Sequence, residues 1–154
     1  MAYPFKKILC PLDFDENSIA ALDVAAEMAR ESDATLEVLH VVPLIIQAGG
    51  TPIYVDVYTA QEQESQAKLV ALAKTHLGGL KCELRTTIAE PSAAILHAEK
   101  TVGADIIVMS THGRRGLAHF FLGSVAERVV REAQCPVLTI RGHYAAQQPA
   151  STHA

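Results

Sequence analysis

The chain has 154 residues, the usual length of one domain, and 49% of them are hydrophobic although only 5% are aromatic. The formal net charge of −4 argues against a general nucleic-acid binder, which would normally present a basic face. No apolar run approaches the roughly 18–20 residues that are needed to cross a bilayer. A core made of small residues is typical of helices that pack closely on a parallel sheet.

The amino terminus and the cysteines indicate a cytoplasmic protein. The apolar stretch Ile8–Leu12 is too short for the hydrophobic region of a signal peptide. Cys10, Cys82 and Cys135 are widely spaced within apolar runs, and no pair has metal-ligand spacing. We therefore expect reduced, buried thiols in this protein.

In the first half of the chain, short apolar runs alternate with amphipathic segments. Lys7–Leu12 is predicted to be a buried strand, and apolar residues at helical spacing over Ile19–Ala29 predict a helix. Thr35–Val42 is predicted to be the second strand. Leu44–Tyr58 shows no clear helical period and is predicted to be a long loop, followed by a second helix whose apolar face includes residues of Leu69–His76.

The second half continues this alternation. Its predicted elements are, in order, a strand (Cys82–Ile88), a helix with Pro91 in its first turn and Gly103 at its end, a strand (Asp105–Met109), a helix (Val125–Ala133) and a strand (Pro136–Arg141). Strands that alternate with helices predict a parallel sheet with right-handed crossovers and helices on both faces. We expect residues 1–141 to form the domain and residues 142–154 to be a disordered tail.

The loop Ser110–Ser124, after the fourth predicted strand, has residues that suit a phosphate. In open parallel sheets, ligands bind beyond the carboxyl ends of the strands, where the strand order reverses. Gly113 and Gly116 allow the backbone to approach an anion closely. Gly123 and Ser124 lie at the start of a predicted helix, where free N–H groups favour negative charge.

The same loop has a purely structural interpretation. Ser124 and Glu127 match a capping box, in which the two side chains only satisfy the first N–H groups of the helix. Spacing alone leaves both interpretations open, because short motifs often match by chance. The sequence lacks G-x-x-x-x-G-K-[ST] and G-x-G-x-x-G, so the common nucleotide folds have no direct support.

Other polar residues are candidates for a ligand site, a metal site or a structural role. Asp13 follows the first strand, where its carboxylate can accept from ribose hydroxyls or cap the next helix. His40 lies in a strand and is expected to be a core histidine with a hydrogen-bond partner. His112 and His119 have no cysteine nearby, so no metal site is expected, and no arrangement of residues predicts a catalytic triad.

Several short segments resemble the universal stress protein family, in the order in which that family has them. The nucleotide loop of the family is written G-x2-G-x9-G-[ST], and here Gly113 is followed, after nine residues, by Gly123 and Ser124. The other matching segments are Lys6-Lys7-Ile8-Leu9 leading into Pro11-Leu12-Asp13-Phe14, His40-Val41-Val42, and Cys135-Pro136-Val137-Leu138. The likeness covers the chain from Phe5 to Arg141.

The resemblance implies an α/β fold with an open, Rossmann-like sheet of five parallel strands in the order 3-2-1-4-5. It implies that ATP, or AMP or ADP, binds between the first and fourth strands, with or without Mg²⁺. Asp13 would meet the ribose or the adenine edge, Val41 the adenine, and the amides of Gly113 and Gly123 the phosphates. The nucleotide-binding residues implied are Pro11, Leu12, Asp13, Val41, Ser110, His112, Gly113, Arg115, Gly116, Gly123, Ser124 and Val125.

The resemblance also implies a function and an assembly. It describes a stress-response regulator that works through its bound state, although slow ATPase or autophosphorylation activity is known from some relatives. It implies a homodimer joined through the last strand, Val137 to Arg141, which is expected at a sheet edge. Neither nucleic acid nor a membrane is expected as a partner.

The chain departs from the family pattern at two positions, and the one in the nucleotide loop keeps another function open. Ser110 stands where the nucleotide loop has its first glycine, and Ala89 stands where the family often has glycine. Ser110 leaves room for an interaction module of the same fold that does not bind nucleotide. A flavodoxin-like electron carrier shares the sheet order but is disfavoured, because the loop Asp13–Ser18 lacks the residues expected around a flavin phosphate.

Overall fold

The fold is an open parallel sheet with two helices on each face. The computed structural model describes residues 3–44, 55–111 and 122–141. In these ranges the elements are β1 (Lys7–Pro11), α1 (Glu16–Ser32), β2 (Thr35–Pro43), α2 (Val55–His76), β3 (Cys82–Ala89), α3 (Pro91–Val102), β4 (Ile106–Ser110), α4 (Ser124–Glu132) and β5 (Val137–Ile140). All neighbouring strands are parallel, in the order β3-β2-β1-β4-β5, so the predicted fold is confirmed.

Two apolar clusters form the core, one on each face of the sheet. Ile8 and Val38 pack in the cluster that contains the apolar residues of α1 and α2, whereas Leu9 and Leu39 pack in the cluster of α3 and α4. Because crossovers are right-handed, connections that run in opposite directions along the sheet cover opposite faces. The connections through α1 and α2 run in one direction along the sheet and those through α3 and α4 run in the other, so the two pairs of helices cover opposite faces. The direction reverses between β1 and β4.

The second helix begins earlier than the sequence predicts. Val55–Tyr58 lie in α2, so the expected long loop Leu44–Tyr58 is wrong for these residues, and residues 45–54 lie outside the described part of the chain. Asp56 and Val57 are exposed in the first turn. A helical apolar period appears only where one side of a helix is buried, so the exposed start of α2 leaves no such pattern in the sequence.

The thiols are free, but they differ in burial. Cys10 is fully buried, whereas Cys82 and Cys135 are only partly buried, which corrects the expectation of three buried thiols. Cys82 begins the edge strand β3 and Cys135 lies in the turn before β5, so neither is enclosed on both faces. Burial, with a smaller contribution from Asp23, raises the pKa of Cys10 to about 12.

The described residues contain neither a helix that could cross a bilayer nor a group of side chains that could hold a metal ion. None of the helices in ranges 3–44, 55–111 and 122–141 has the length and apolar character that a bilayer crossing requires. In the same ranges, no three side chains of His, Cys, Asp or Glu are grouped so that they could hold a metal ion.

Candidate functional site

The carboxyl ends of β1 and β4 lie side by side and bring the predicted loops together. Ile8 pairs with Ile106 and Leu9 with Ile107, so β1 and β4 are parallel neighbours whose carboxyl ends lie at the same edge of the sheet. The Thr111 N–H donates to the Ile140 carbonyl at 3.0 Å, which ties this point to β5. The end of β1 and the end of β4 therefore form one edge, at the point where the strand order reverses.

The start of α4 is attached to the same edge. The Gly123 N–H donates to the Thr111 carbonyl at 2.7 Å, which joins the residue after β4 to the residue before α4. Gly123 is the N-cap of α4, with φ −58 and ψ 159, a backbone conformation that any residue can adopt. Because this amide is already used, the donors that remain at this end are the amides of the first helical turn.

These first-turn amides belong to Ser124, Val125 and Ala126. They have no carbonyl partner inside the helix, because the first intrahelical bond runs from the Glu127 N–H to the Gly123 carbonyl at 2.8 Å. In the described residues no side chain caps α4. The partial positive charge of the helix start is therefore directed at the sheet edge.

The capping-box interpretation of Ser124 and Glu127 is wrong. Ser124 is the first helical residue and does not occupy the N-cap position. Glu127 instead accepts from Arg131 Nη1 at 2.6 Å, a contact along the same helix. Of the two interpretations that spacing left open, only the structural one is removed.

On the β1 side, Asp13 is held in a tight turn and does not cap α1. The cap is Asp15, whose Oδ1 accepts from the Ser18 N–H at 2.7 Å. Asp13 Oδ1 accepts from the Asp15 N–H at 3.2 Å, and the Asp13 N–H donates to Ser18 Oγ at 3.2 Å. Burial, with a smaller contribution from the neighbouring Asp13 carboxylate, raises the pKa of Asp15, although the Ser18 N–H opposes this.

A strained residue and a buried histidine support this turn. Phe14 has φ 66, a left-handed conformation that is uncommon for a bulky side chain. The His40 ring lies 4.5 Å from the Phe14 ring, and His40 Nδ1 lies 2.7 Å from the Leu12 carbonyl. Because a carbonyl only accepts, Nδ1 carries the proton. The expectation that His40 is a core histidine with a partner is confirmed.

The remaining described residues of the expected site differ in how far their side chains are buried. Leu12 has its side chain in the core, and its N–H donates to the Leu39 carbonyl at 2.9 Å. Pro11 and Val41 are half-buried, and Val41 packs beside the α3 and α4 cluster, which leaves part of its side chain at the edge. Ser110 is half-buried at the end of β4.

Ser110 follows the alternation of β4. Ile106 and Val108 pack in the cluster on the α1 and α2 face, and Ile107 and Met109 in the other cluster. Because successive side chains of a strand point to opposite faces, the Ser110 side chain lies on the α1 and α2 face. The side chains of Leu39 and Val41 lie on the opposite face of the sheet.

Some predicted residues fall outside the described ranges, and some described residues were not predicted. His112, Gly113, Arg115 and Gly116 are outside the described residues, as are Arg114 and His119. The Thr111 carbonyl and the Ala126 amide were missed. Thr111 directly follows β4, and Ala126 is in the first turn of α4. Backbone groups lack regular partners at these two kinds of position.

Known structures of similar fold include two nucleotide complexes. Protein MJ0577 of Methanocaldococcus jannaschii is similar with a TM-score of 0.75 and 26% identity, covering 88% of this chain and 95% of that chain. A universal stress protein in complex with cAMP has a TM-score of 0.66 and 23% identity, with 88% and 96% covered. The universal stress protein of Archaeoglobus fulgidus in complex with dAMP has a TM-score of 0.62 and 24% identity, with 91% and 99% covered.

Sequence comparison extends this likeness from the fold to the family. Universal stress protein MJ0531 of Methanocaldococcus jannaschii is 32% identical over 142 residues, which cover 89% of this chain and 82% of that protein. Universal stress protein YxiE of Bacillus subtilis is 31% identical over 147 residues, with 89% and 99% covered. The family model described as "Universal stress protein family" matches residues 4–141. Because this match spans every strand and helix of the sheet, the chain belongs to the universal stress protein family.

Proposed function

We propose that this protein binds an adenine nucleotide at the edge formed by β1 and β4 and acts as a cytoplasmic regulator in the stress response. ATP is the ligand we expect, with ADP and AMP as its shorter forms and Mg²⁺ as the counter-ion of the phosphates. The nucleotide-bound form is the form that acts, because a nucleotide that contacts both loops at this edge joins the end of β1 to the start of α4.

One observation supports this proposal: Asp13 follows β1, and the start of α4 is hydrogen-bonded to the residue after β4, the strand beside β1. Asp13 supplies acceptor oxygens that suit ribose hydroxyls or the adenine amino group. The first-turn amides of Ser124, Val125 and Ala126 supply N–H donors and a positive helix end that suit phosphate. A nucleotide has donors at one end and an anion at the other, so it matches this arrangement.

The apolar side chains and Ser110 are compatible with the same ligand. Val41 is half-buried at the end of β2, beside β1, where it can contact a flat base. Strand alternation places the Ser110 side chain on the α1 and α2 face. The Ser110 side chain therefore points away from the face that carries Val41 and α4. For this reason, serine in place of the family's glycine does not obstruct a ligand on that face.

The solved complexes support the class of ligand. Two proteins of similar fold are complexes with cAMP and dAMP, and both ligands contain adenine, a sugar and a phosphate. We extend this class of ligand to the present chain because its described edge residues offer a carboxylate and helix-start amides at the same place.

We further propose that two copies associate through β5. This strand lies at the edge of the sheet, so one side of its backbone lacks a neighbouring strand in the described residues. Leu138 on β5 and Val130 on α4 are exposed at 38% and 45%. Burial of these side chains against a second copy would remove apolar surface from water.

A second candidate function is an interaction module that does not bind nucleotide. The exposed apolar side chains of Leu138, Val130 and Leu122 favour this candidate, because they lie on or beside the last two elements of the fold. The two functions differ in one measurable property, the affinity for adenine nucleotides.

The first experiment is calorimetric titration of the purified chain with ATP, ADP, AMP and adenosine, with and without Mg²⁺. Mass spectrometry of any small molecule released on denaturation accompanies it. Binding of about one nucleotide per chain supports the proposal. Absence of both a released nucleotide and a heat of binding would refute it and favour the interaction module.

A Gly123→Leu variant tests the site itself. The backbone of Gly123 is not in a left-handed conformation, so the fold should tolerate leucine there, while the added side chain obstructs the approach of phosphate to α4. Gly78→Leu is the matched control, because a Cβ at Gly78 meets nothing within 4 Å. We expect Gly123→Leu alone to lose ATP affinity, and unchanged affinity in a folded variant would reject this position of the phosphates.

A further inference from the structure

Arg128 connects α4 to the start of α3. Its Nη1 lies 3.0 Å from Glu90 Oε2 and 2.9 Å from Ser92 Oγ, and both of these contacts cross between the helices. Its Nε lies 3.3 Å from Glu132 Oε1, on the same helix as Arg128. The planar guanidinium suits this role, because it presents several N–H donors in a fixed geometry.

The acceptors of Arg128 are themselves fixed. Glu90 is the N-cap of α3, and its oxygens accept from the Ser92 N–H at 3.2 Å and the Ala93 N–H at 2.8 Å. Ser92 is only 2% exposed, and its hydroxyl donates to Glu90. Partial burial opposes ionisation of Glu90, but the amide and hydroxyl donors, with Arg128, lower its pKa.

This connection lies at the same edge of the sheet as the candidate site. Glu90 directly follows the last residue of β3, and the carboxyl ends of parallel strands share one edge. Arg128 is four residues after Ser124, so its Cα is about 6 Å along the axis from the first residue of α4. The contact therefore acts on the turn that offers its amides to the phosphate.

Apolar packing between the two helices does not replace this contact. Beside Arg128, a groove of about 300 Å³ lies between α3 and α4, lined by Ala93, Leu96, His97 and Lys100 together with Arg128 and Glu132. Ala126 and Val129 anchor α4 to the sheet, but they lie in the cluster beneath the helix. The polar contacts of Arg128 therefore add a connection between α4 and the start of α3, besides the Gly123–Thr111 hydrogen bond and the packing of Ala126.

We propose that Arg128 is a positioning residue for the phosphate of the bound nucleotide, because it holds the first turn of α4 against the capped start of α3. This inference rests on the proposed function. It goes further by assigning a specific role to a residue that does not itself belong to the nucleotide loop. The role predicts that the loss of Arg128 weakens binding of phosphorylated ligands and leaves binding of the nucleoside unchanged.

The test compares Arg128→Gln with Arg131→Gln. Both variants remove one positive charge from α4, but Arg131 pairs only with Glu127 and Glu132 of its own helix, among the described residues. We expect Arg128→Gln to weaken ATP binding roughly fivefold, the size of effect found for coupled neighbouring residues, and adenosine binding less than about twofold. Arg131→Gln should change both affinities less than about twofold.

A double variant distinguishes a positioning role of Arg128 from an effect of its charge. If Arg128 acted only by neutralising Glu90, the double variant Glu90→Gln with Arg128→Gln would recover the ATP affinity of the unchanged chain. A positioning role predicts that the double variant binds ATP as weakly as Arg128→Gln does, because the connection to α3 is still missing. Recovery in the double variant, or equal losses for ATP and adenosine, would overturn the inference.

The outcome also distinguishes this inference from the proposed function. If the unchanged chain binds neither ATP nor adenosine, the proposed function fails and the inference fails with it. If the unchanged chain binds both ligands and Arg128→Gln has the same ratio of ATP to adenosine affinity, only the inference fails. Thermal unfolding of each variant shows that the comparison is made between folded proteins.

Discussion

Replacement of Glu99 by alanine should destabilise the fold far more than replacement of an exposed helical glutamate. Glu99 lies in α3 and is only 4% exposed. Its Oε1 accepts from the Gln134 N–H at 2.6 Å and from the Cys135 N–H at 2.7 Å. One carboxylate oxygen on α3 thus fixes the turn between α4 and β5.

The size of the effect follows from these two contacts. A fully buried N–H that loses its acceptor costs about 1–3 kcal/mol; these two hydrogen bonds are partly buried, so about 1.5 kcal/mol for each gives about 3 kcal/mol. Glu99 Oε2 is buried and has no hydrogen-bond partner among the described residues, and its removal should recover about 1 kcal/mol. The free energy of unfolding should therefore fall by about 2 kcal/mol, which lowers Tm by roughly 4–8 °C in a protein of this size.

The assay is urea unfolding with Glu64→Ala as the control. Glu64 lies in α2, is exposed at 68% of its side chain, and pairs with Lys68 at 3.1 Å, so its loss should cost less than about 0.5 kcal/mol. Glu99→Gln keeps one oxygen for both amides, so its free energy of unfolding should lie between those of Glu64→Ala and Glu99→Ala. Equal stability of Glu99→Ala and Glu64→Ala would refute the reasoning.

A chemical probe of the same contact is the neighbouring thiol. Burial, followed by the Glu99 carboxylate, raises the pKa of Cys135 to about 12. Removal of the negative charge in Glu99→Gln should lower this pKa and favour the reactive thiolate. Alkylation of Cys135, followed by peptide mass spectrometry, should therefore be faster at a given pH in the variant than in the unchanged chain.

Three further predictions concern other parts of the fold. Phe14→Gly should be more stable to urea than Phe14→Ala by about 1 kcal/mol, because φ 66 is strained for any residue with a Cβ. Since the pKa of Glu90 in the folded state is below its ordinary value of 4.5, Glu90 stabilises the fold above that pH, and the stability difference from Glu90→Gln should shrink as the pH falls through the lowered pKa. Leu138→Lys should give a monomer by light scattering, whereas Val70→Lys, at 39% exposure against 38%, should leave the assembly unchanged.

The sheet could be predicted from the sequence because its strands are buried along most of their length. Ile8, Leu9, Ile107 and Val108 are all fully buried, and a strand covered on both faces must be apolar at consecutive positions. The order of strands and helices follows from such runs and from the turns between them. The resemblance to a known family supplied the order of the strands in space and the choice of the edge that we propose as the ligand site.

Contacts between distant residues could not be predicted in this way. Glu90 and Arg128 are 38 residues apart, and Glu99 reaches Gln134 across 35 residues. A charged residue in an amphipathic helix is normally expected on the exposed side, so the residue type of Glu99 does not predict that its side chain is buried. Its partners are backbone amides of a turn, and backbone groups leave no signal in the sequence.

The failure of the capping box has a related cause. The motif requires Ser124 to precede the helix, but the Gly123 N–H is bound by the Thr111 carbonyl, and this fixes Gly123 at the N-cap position. The helix therefore begins one residue earlier than the motif needs. A hydrogen bond to the preceding strand decides the helix start, and spacing within the motif contains no information on it.

The two halves of the candidate site are supported from opposite faces of the sheet. His40 and Phe14 hold the turn that carries Asp13, and His40 is on the α1 and α2 face by alternation with Val38. Arg128 holds the start of α4 on the other face. Because the supports share no residue, a substitution in one should affect mainly its own half, the proposed ribose side for His40 and the proposed phosphate side for Arg128. Independent supports would let a nucleotide that spans both halves couple two faces that are otherwise joined only through the strands.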